Sequence, residues 1–108
     1  MSSKTLIAAA AKPIILSILQ LGESYGYQII KRVRQASGGA LDWSSALLYP
    51  VLHRLEKDGL IQSQWKLSEK GRMRRCYRIT DAGRKELAVE KERWISIHDV
   101  LEKFWATA

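Results

Sequence analysis

The stretch SSALLYPVLHRLEKDGLIQSQWKLSEKGRMRRCYRI, residues 44–79, decides the fold because its hydrophobic period changes in the middle. Leu48, Val51, Leu52 and Leu55 recur at helical spacing and place one apolar stripe along a helix. Ser44 or Ser45 stands where a hydroxyl caps the first free N–H groups of that helix. Pro50 falls close to the first turn, where a missing N–H is tolerated best, and Gly59 stops the helix. From Ile61 onward the period becomes two. Ile61, Ser63, Trp65 and Leu67 share one face, and Gln62, Gln64 and Lys66 share the other. A turn around Gly71 leads into a second extended run over residues 74–79, with Cys76 on one face and Arg75, Tyr77 and Ile79 on the other. The stretch therefore predicts a helix running directly into a β-hairpin.

Working outward, residues 6–21 read as a helix that is apolar on several faces: Leu6, Ile7, Ala10, Ile14, Ile15, Ile18 and Leu19. Such a helix is buried on more than one side. Pro13 is expected to start a new helical segment or to kink this one, and Gly22 to end it. A second helix is expected over residues 24–36, with Tyr25, Ile29, Ile30 and Val33 inward and Lys31, Arg32 and Arg34 outward. Ser37-Gly38-Gly39 ends it, and residues 40–43 are expected to pair as a short extended piece. Downstream, Thr80 or Asp81 caps a long helix over residues 82–105, whose apolar Leu87, Trp94, Ile97, Leu101 and Phe104 recur at near-heptad spacing. The predicted class is mainly α with a small β-hairpin. Helix, helix, turn, helix, hairpin is the order of a winged helix-turn-helix.

Charge divides the chain the same way. Residues 1–80 hold 13 Lys/Arg against 5 Asp/Glu, whereas residues 81–108 hold 5 against 6. The excess is densest in residues 66–78, where Lys66, Lys70, Arg72, Arg74, Arg75 and Arg78 face only Glu69. A basic hairpin with a glycine turn suits the phosphates or minor groove of a duplex, and a helix fits the major groove. Double-stranded DNA is accordingly the expected partner. The candidate DNA-facing residues are Ser44, Ser45, Tyr49 and His53 on the third helix and Lys70, Arg72, Arg74 and Arg75 on the wing. Arg78 is expected to brace its strand, and Tyr25 and Tyr27 to pack the second helix.

Other classes find little support. No stretch approaches the roughly 20 apolar residues that span a bilayer, so no membrane partner is expected, and the N-terminus lacks a secretory layout. A single cysteine, Cys76, fits a reducing cytoplasm. His53, Cys76 and His98 lack ligand spacing, so neither a metal nor a cofactor is expected. No nucleophile–base pair or phosphate-cradling loop stands out, and no catalytic residue is assigned.

With these residues in view, the sequence resembles the PadR family of bacterial transcriptional regulators. The resemblance runs through Tyr25-Gly26-Tyr27-Gln28-Ile29-Ile30, then Leu48-Tyr49-Pro50-Val51-Leu52-His53-Arg54-Leu55-Glu56-Lys57-Asp58-Gly59-Leu60-Ile61, then Arg74-Arg75-Cys76-Tyr77-Arg78-Ile79-Thr80-Asp81-Ala82-Gly83. The single C-terminal helix looks like the smaller PadR subgroup. Cys76 departs from the family, where an aromatic residue is common. Ala46 stands where glycine is frequent and Leu47 where a small hydroxyl residue is frequent, which touches the first turn of the recognition helix and hence the operator it reads.

The resemblance implies a homodimeric repressor released from operator DNA by a small effector. It divides the chain into a winged helix-turn-helix DNA-binding domain, 1–80, and a C-terminal dimerisation helix, 81–108. Trp94, Ile97, Leu101 and Phe104 would form the dimer contact. A tryptophan at the position of Trp94 lies at the dimer centre in resembling proteins and stacks on planar aromatic effectors. His98 would line that cavity. Two rival readings follow: a drug-sensing dimer with Trp94 at its ligand site, and a protein-interaction module that uses the winged fold without DNA.

Overall fold

The computed structural model describes residues 3–107, and side chains from residue 9 onward. The elements run α1 (Ser3–Leu21), β1 (Ser24–Tyr25), α2 (Gly26–Ala36), α3 (Ser45–Lys57), β2 (Ile61–Leu67), β3 (Met73–Ile79) and α4 (Asp81–Ala106). The three strands form one antiparallel sheet in the order β1-β3-β2. The expected side-chain roles of Leu6 and Ile7 lie outside the described residues.

Ile15, Leu16, Ile29, Leu48, Leu52, Ile61 and Leu87 are fully buried and draw α1, α2, α3, β2 and α4 onto one core. Each such burial is worth roughly 1.5–3 kcal/mol. The expected α2 face of Ile29, Ile30 and Val33 is buried, and Lys31, Arg32 and Arg34 point outward. On α3, Leu48, Leu52 and Leu55 are buried and Val51 is half-buried against the core.

Local chemistry sets the helix ends. Ser44 caps α3 by accepting a hydrogen bond from the Leu47 N–H at 3.2 Å. The Thr80 hydroxyl does two jobs: it accepts from the Gly83 N–H at 3.0 Å and donates to the Gly59 carbonyl at 2.7 Å. One side chain thus starts α4 and ties it to the turn after α3. Gly83 brings α4 against this turn. A Cβ there would fall inside the contact distance of the Leu60 carbonyl oxygen and 2.7 Å from Ile79 Cγ1.

Two expectations are corrected and one is narrowed. Residues 40–43 form no strand; Ser24–Tyr25 pairs with β3 instead, opposite Tyr77 and Cys76. The reason is local: the Leu41 N–H donates to Ser37 Oγ, Asp42 is held by Arg34, and Trp43 turns into the core. Consequently α2 begins at Gly26, two residues later than expected. Pro13 neither starts nor divides a helix, since α1 runs through it as one element. Packing on both sides of α1, from Ala11 to Leu19, outweighs the hydrogen bond that Pro13 forfeits.

The 26 residues of α4 span about 39 Å. Only its first part is held, by Gly83, Leu87 and Glu90 and by an ion pair between Lys12 and Glu86. Beyond Trp94, the apolar Ile95, Ile97, Val100, Leu101, Phe104 and Trp105 are exposed, Phe104 to 69%.

Candidate nucleic-acid interface

The turn at Gly59, which has φ +78°, sends β2 back alongside α3, so the exposed face of α3 and the hairpin become the two walls of one groove. The groove encloses about 740 Å³ and is lined by Tyr25, Tyr27 and Tyr49 and by Lys70, Arg72, Arg74 and Arg75 of the wing. It adjoins a hollow of about 220 Å³ formed by Tyr49, His53, Glu56, Arg75 and Tyr77. Six of the eight residues expected at the DNA are therefore brought together. The other two, Ser44 and Ser45, are exposed at the start of α3 and line neither hollow.

The wing tip is a closed five-residue loop. The Ser68 N–H donates to the Arg72 carbonyl at 2.7 Å, the Arg72 N–H donates to Ser68 Oγ at 3.1 Å, and Gly71 adopts φ +79°. Lys70 and Arg72 are exposed on this loop and have no ion-pair partner among the described residues.

The wing's cations are not equivalent. Lys66 is bound to Glu23 at 2.7 Å. Arg75 is bound to Glu56 of α3 at 3.1 Å and, through Nε, to Ser63 Oγ at 2.8 Å. Arg74 lies over the Tyr25 ring, 3.9 Å from its centroid. Arg78 is exposed in a separate hollow with Glu23 and Gln62, and no hydrogen bond or ion pair braces it among the described residues. On the groove side the uncompensated charge is thus that of Lys70, Arg72 and Arg74.

Tyr49 is set by the start of α2. A Cβ on Gly26 would lie 2.8 Å from Tyr49 Cζ and closer still to the hydroxyl, so only glycine admits this ring. Tyr77 lies beneath the second hollow. Burial raises its pKa above the ordinary 10.0, Arg75 opposes that shift, and Tyr49 and Glu56 reinforce it.

Tyr25 and Tyr27 are expected from the sequence to pack α2. Tyr25 is half-buried under Arg74, and Tyr27 is 62% exposed. Their positions, Tyr25 in β1 paired to β3 and Tyr27 in the first turn of α2, put both beside the wing. Cys76 is buried, as a packing role requires.

A second, apolar groove of about 730 Å³ lies across the molecule, where Ile14 and Ile18 of α1, Val33 of α2 and Leu87, Trp94 and Ile95 of α4 meet. Trp94 thus faces a groove built by α1 and α2 of its own chain. Glu90, 7% exposed, also lines this groove. His98 does not; it is exposed, with Nε2 3.4 Å from Glu102. Among the described residues no group of three or more His, Cys, Asp or Glu could hold a metal, and no helix is long and apolar enough to cross a membrane.

Three helices, a recognition-helix position at α3 and a β2–β3 wing define a winged helix-turn-helix protein. The sequence profile of the transcriptional regulator PadR-like family matches residues 15–89, and the chain belongs to that family. A transcriptional regulator of Clostridium thermocellum is 36% identical and superposes with a TM-score of 0.84, over 96% of this chain and 97% of that one. A PadR family transcription regulator of Clostridium difficile is 31% identical, with a TM-score of 0.79 over 89% and 98% of the two chains. A transcriptional regulator of Mycobacterium tuberculosis is 50% identical over 48 residues, 44% of each chain. Membership places the chain among DNA-binding transcriptional regulators rather than enzymes.

Proposed function

We propose that this protein is a cytoplasmic repressor that binds operator DNA as a homodimer. The observation that carries the reading is the groove between α3 and the wing, where Lys70, Arg72 and Arg74 are left uncompensated beside Tyr49. In this reading Tyr49, His53, Ser44 and Ser45 face the major groove, and the three wing cations meet phosphates. Ser44 does so while capping its helix. Residues 1–80 act as the DNA-binding domain and 81–108 as the dimerisation helix, even though the first turns of α4 are built into the core. Ile97, Leu101 and Phe104, together with Ile95, Val100 and Trp105, are covered by a second copy. A two-fold axis then aims two α3 helices at half-sites about one DNA turn apart.

The test is selection of duplexes from a random library, followed by light scattering of the free and bound protein. The reading expects a two-fold symmetric site bound by two chains, and lower expression of a reporter carrying that site. Failure to retain any duplex at low salt contradicts it.

A second reading is favoured by the apolar groove at Trp94: capture of a planar aromatic effector, with the partner's copy of the helix completing the site and His98 at its rim. Such a ligand would weaken operator binding by favouring a different spacing of the two α3 helices. A planar aromatic cation such as ethidium, added without DNA, should quench tryptophan emission, and Trp94→Ala should abolish the effect. Unchanged emission at high ligand concentration removes this reading.

A further inference from the structure

The arginines at 74 and 75 are neighbours in a basic run and both reach the rim of the groove, yet strand alternation starts them from opposite faces of β3, Arg74 toward Tyr25 and Arg75 toward Glu56. Arg75 faces α3. There it closes a three-membered network: Nη2 to Glu56 Oε1 at 3.1 Å, Nε to Ser63 Oγ at 2.8 Å, and Ser63 Oγ to Glu56 Oε2 at 2.6 Å. Both carboxylate oxygens and two of the guanidinium nitrogens are used, and each of the three residues touches the other two. The three come from α3, β2 and β3, so the network spans the recognition helix and both strands of the wing. Tyr77 lies beneath it, with Arg75 5.9 Å from the ring centroid.

We infer that Glu56 and Arg75 are positioning residues that fix the wing relative to the recognition helix, and that Arg75 is not a phosphate contact. The inference rests on the DNA-binding reading above. Two arguments carry it. A guanidinium whose charge is already met by a carboxylate, and whose Nε and Nη2 are held, offers a phosphate its remaining N–H groups but little uncompensated charge. Glu56, in turn, would be repelled by DNA beside the groove were Arg75 not neutralising it. A duplex that engages α3 and the wing together requires a fixed spacing between them, because a displacement of about 1 Å degrades contacts made by both.

The two assignments of Arg75 predict opposite signs for one substitution. If Arg75 met a phosphate, Glu56→Ala would free it, remove a negative charge and strengthen binding. If the pair is a brace, Glu56→Ala weakens binding to a duplex selected by the unaltered protein, by about tenfold. Arg75→Ala should weaken it by a similar factor with an unchanged slope of log affinity against log salt, and the double variant should be no weaker than either single one. Tighter binding by Glu56→Ala, or a slope made shallower by Arg75→Ala, overturns the inference. A DNA-free measurement separates its failure from failure of the DNA reading: the distance between spin labels at Lys57 and Lys70. The brace predicts one narrow distribution in the unaltered chain and a broad one in Glu56→Ala, recovered in part by Glu56→Gln, whose one side-chain carbonyl oxygen keeps one of the two acceptor contacts. Equal widths in all three overturn it even if no duplex binds.

Discussion

The guanidinium of Arg74 stacks on the ring of Tyr25 with 3.9 Å between its central carbon and the ring centroid. The contact joins β3 to β1, the two-residue strand that precedes α2. It holds a wing cation at the groove without neutralising it, since an aromatic face attracts charge but does not cancel it. The stack leaves guanidinium edges available to an incoming phosphate.

Tyr25→Leu removes the platform and keeps the charge. Affinity for a selected duplex should fall a few-fold, in line with roughly 0.5–1 kcal/mol for an exposed cation–π contact. The salt dependence should be preserved, because the number of phosphates met does not change. Fluorescence anisotropy at several salt concentrations checks both.

Gly26 and Tyr49 form a matched pair, and Gly26→Ala should break it. The added methyl meets the phenol ring within contact distance, so Tyr49 must swing away or α2 must shift. The expected cost is about 1–3 kcal/mol of stability, read in denaturant unfolding, together with a loss of DNA affinity; adding Tyr49→Ala should largely restore the stability and leave the affinity low.

The exposed end of α4 predicts an assembly change. Phe104→Asp combined with Trp105→Asp places charge on the surface a second copy would cover. Light scattering should report monomers. DNA affinity should fall by about a hundredfold or more through loss of the second half-site. A variant that stays dimeric would place the dimer contact elsewhere.

Tyr77 supplies a pH dependence. Its folded pKa is raised above the ordinary 10.0, chiefly by burial, so the folded state holds the phenol proton more tightly than the unfolded chain. The resulting stability is fully present below about pH 10 and is lost as pH rises through the higher folded value. Unfolding of the parent should therefore show a steeper alkaline loss than Tyr77→Phe, compared between pH 9 and 11.5.

How much of this was legible follows from the range of the forces involved. The hairpin, α3 and α4 are written in local periodicity, and Ser44 and Thr80 could be read as caps because capping is a contact over three residues. Ser24–Tyr25 is too short for any period, and its pairing depends on β3 about 50 residues away. The continuity of α1 through Pro13 is decided by neighbours on both of its sides. Alternation separates Arg74 from Arg75, but Glu56 had to arrive from another element before one became a brace and the other a free cation. Tyr27 reads as core in an aromatic motif, yet it lies where α2 emerges beside the wing.

The central claim is that two copies of this helix-and-wing unit grip a duplex through Lys70, Arg72 and Arg74. The most direct measurement is the slope of log affinity against log salt for a selected duplex. Six phosphates met by a dimer give a slope of about −5, and Arg74→Ala, present in both copies, should make it shallower by about 2. A slope near zero, or one that Arg74→Ala leaves unchanged, would contradict the account.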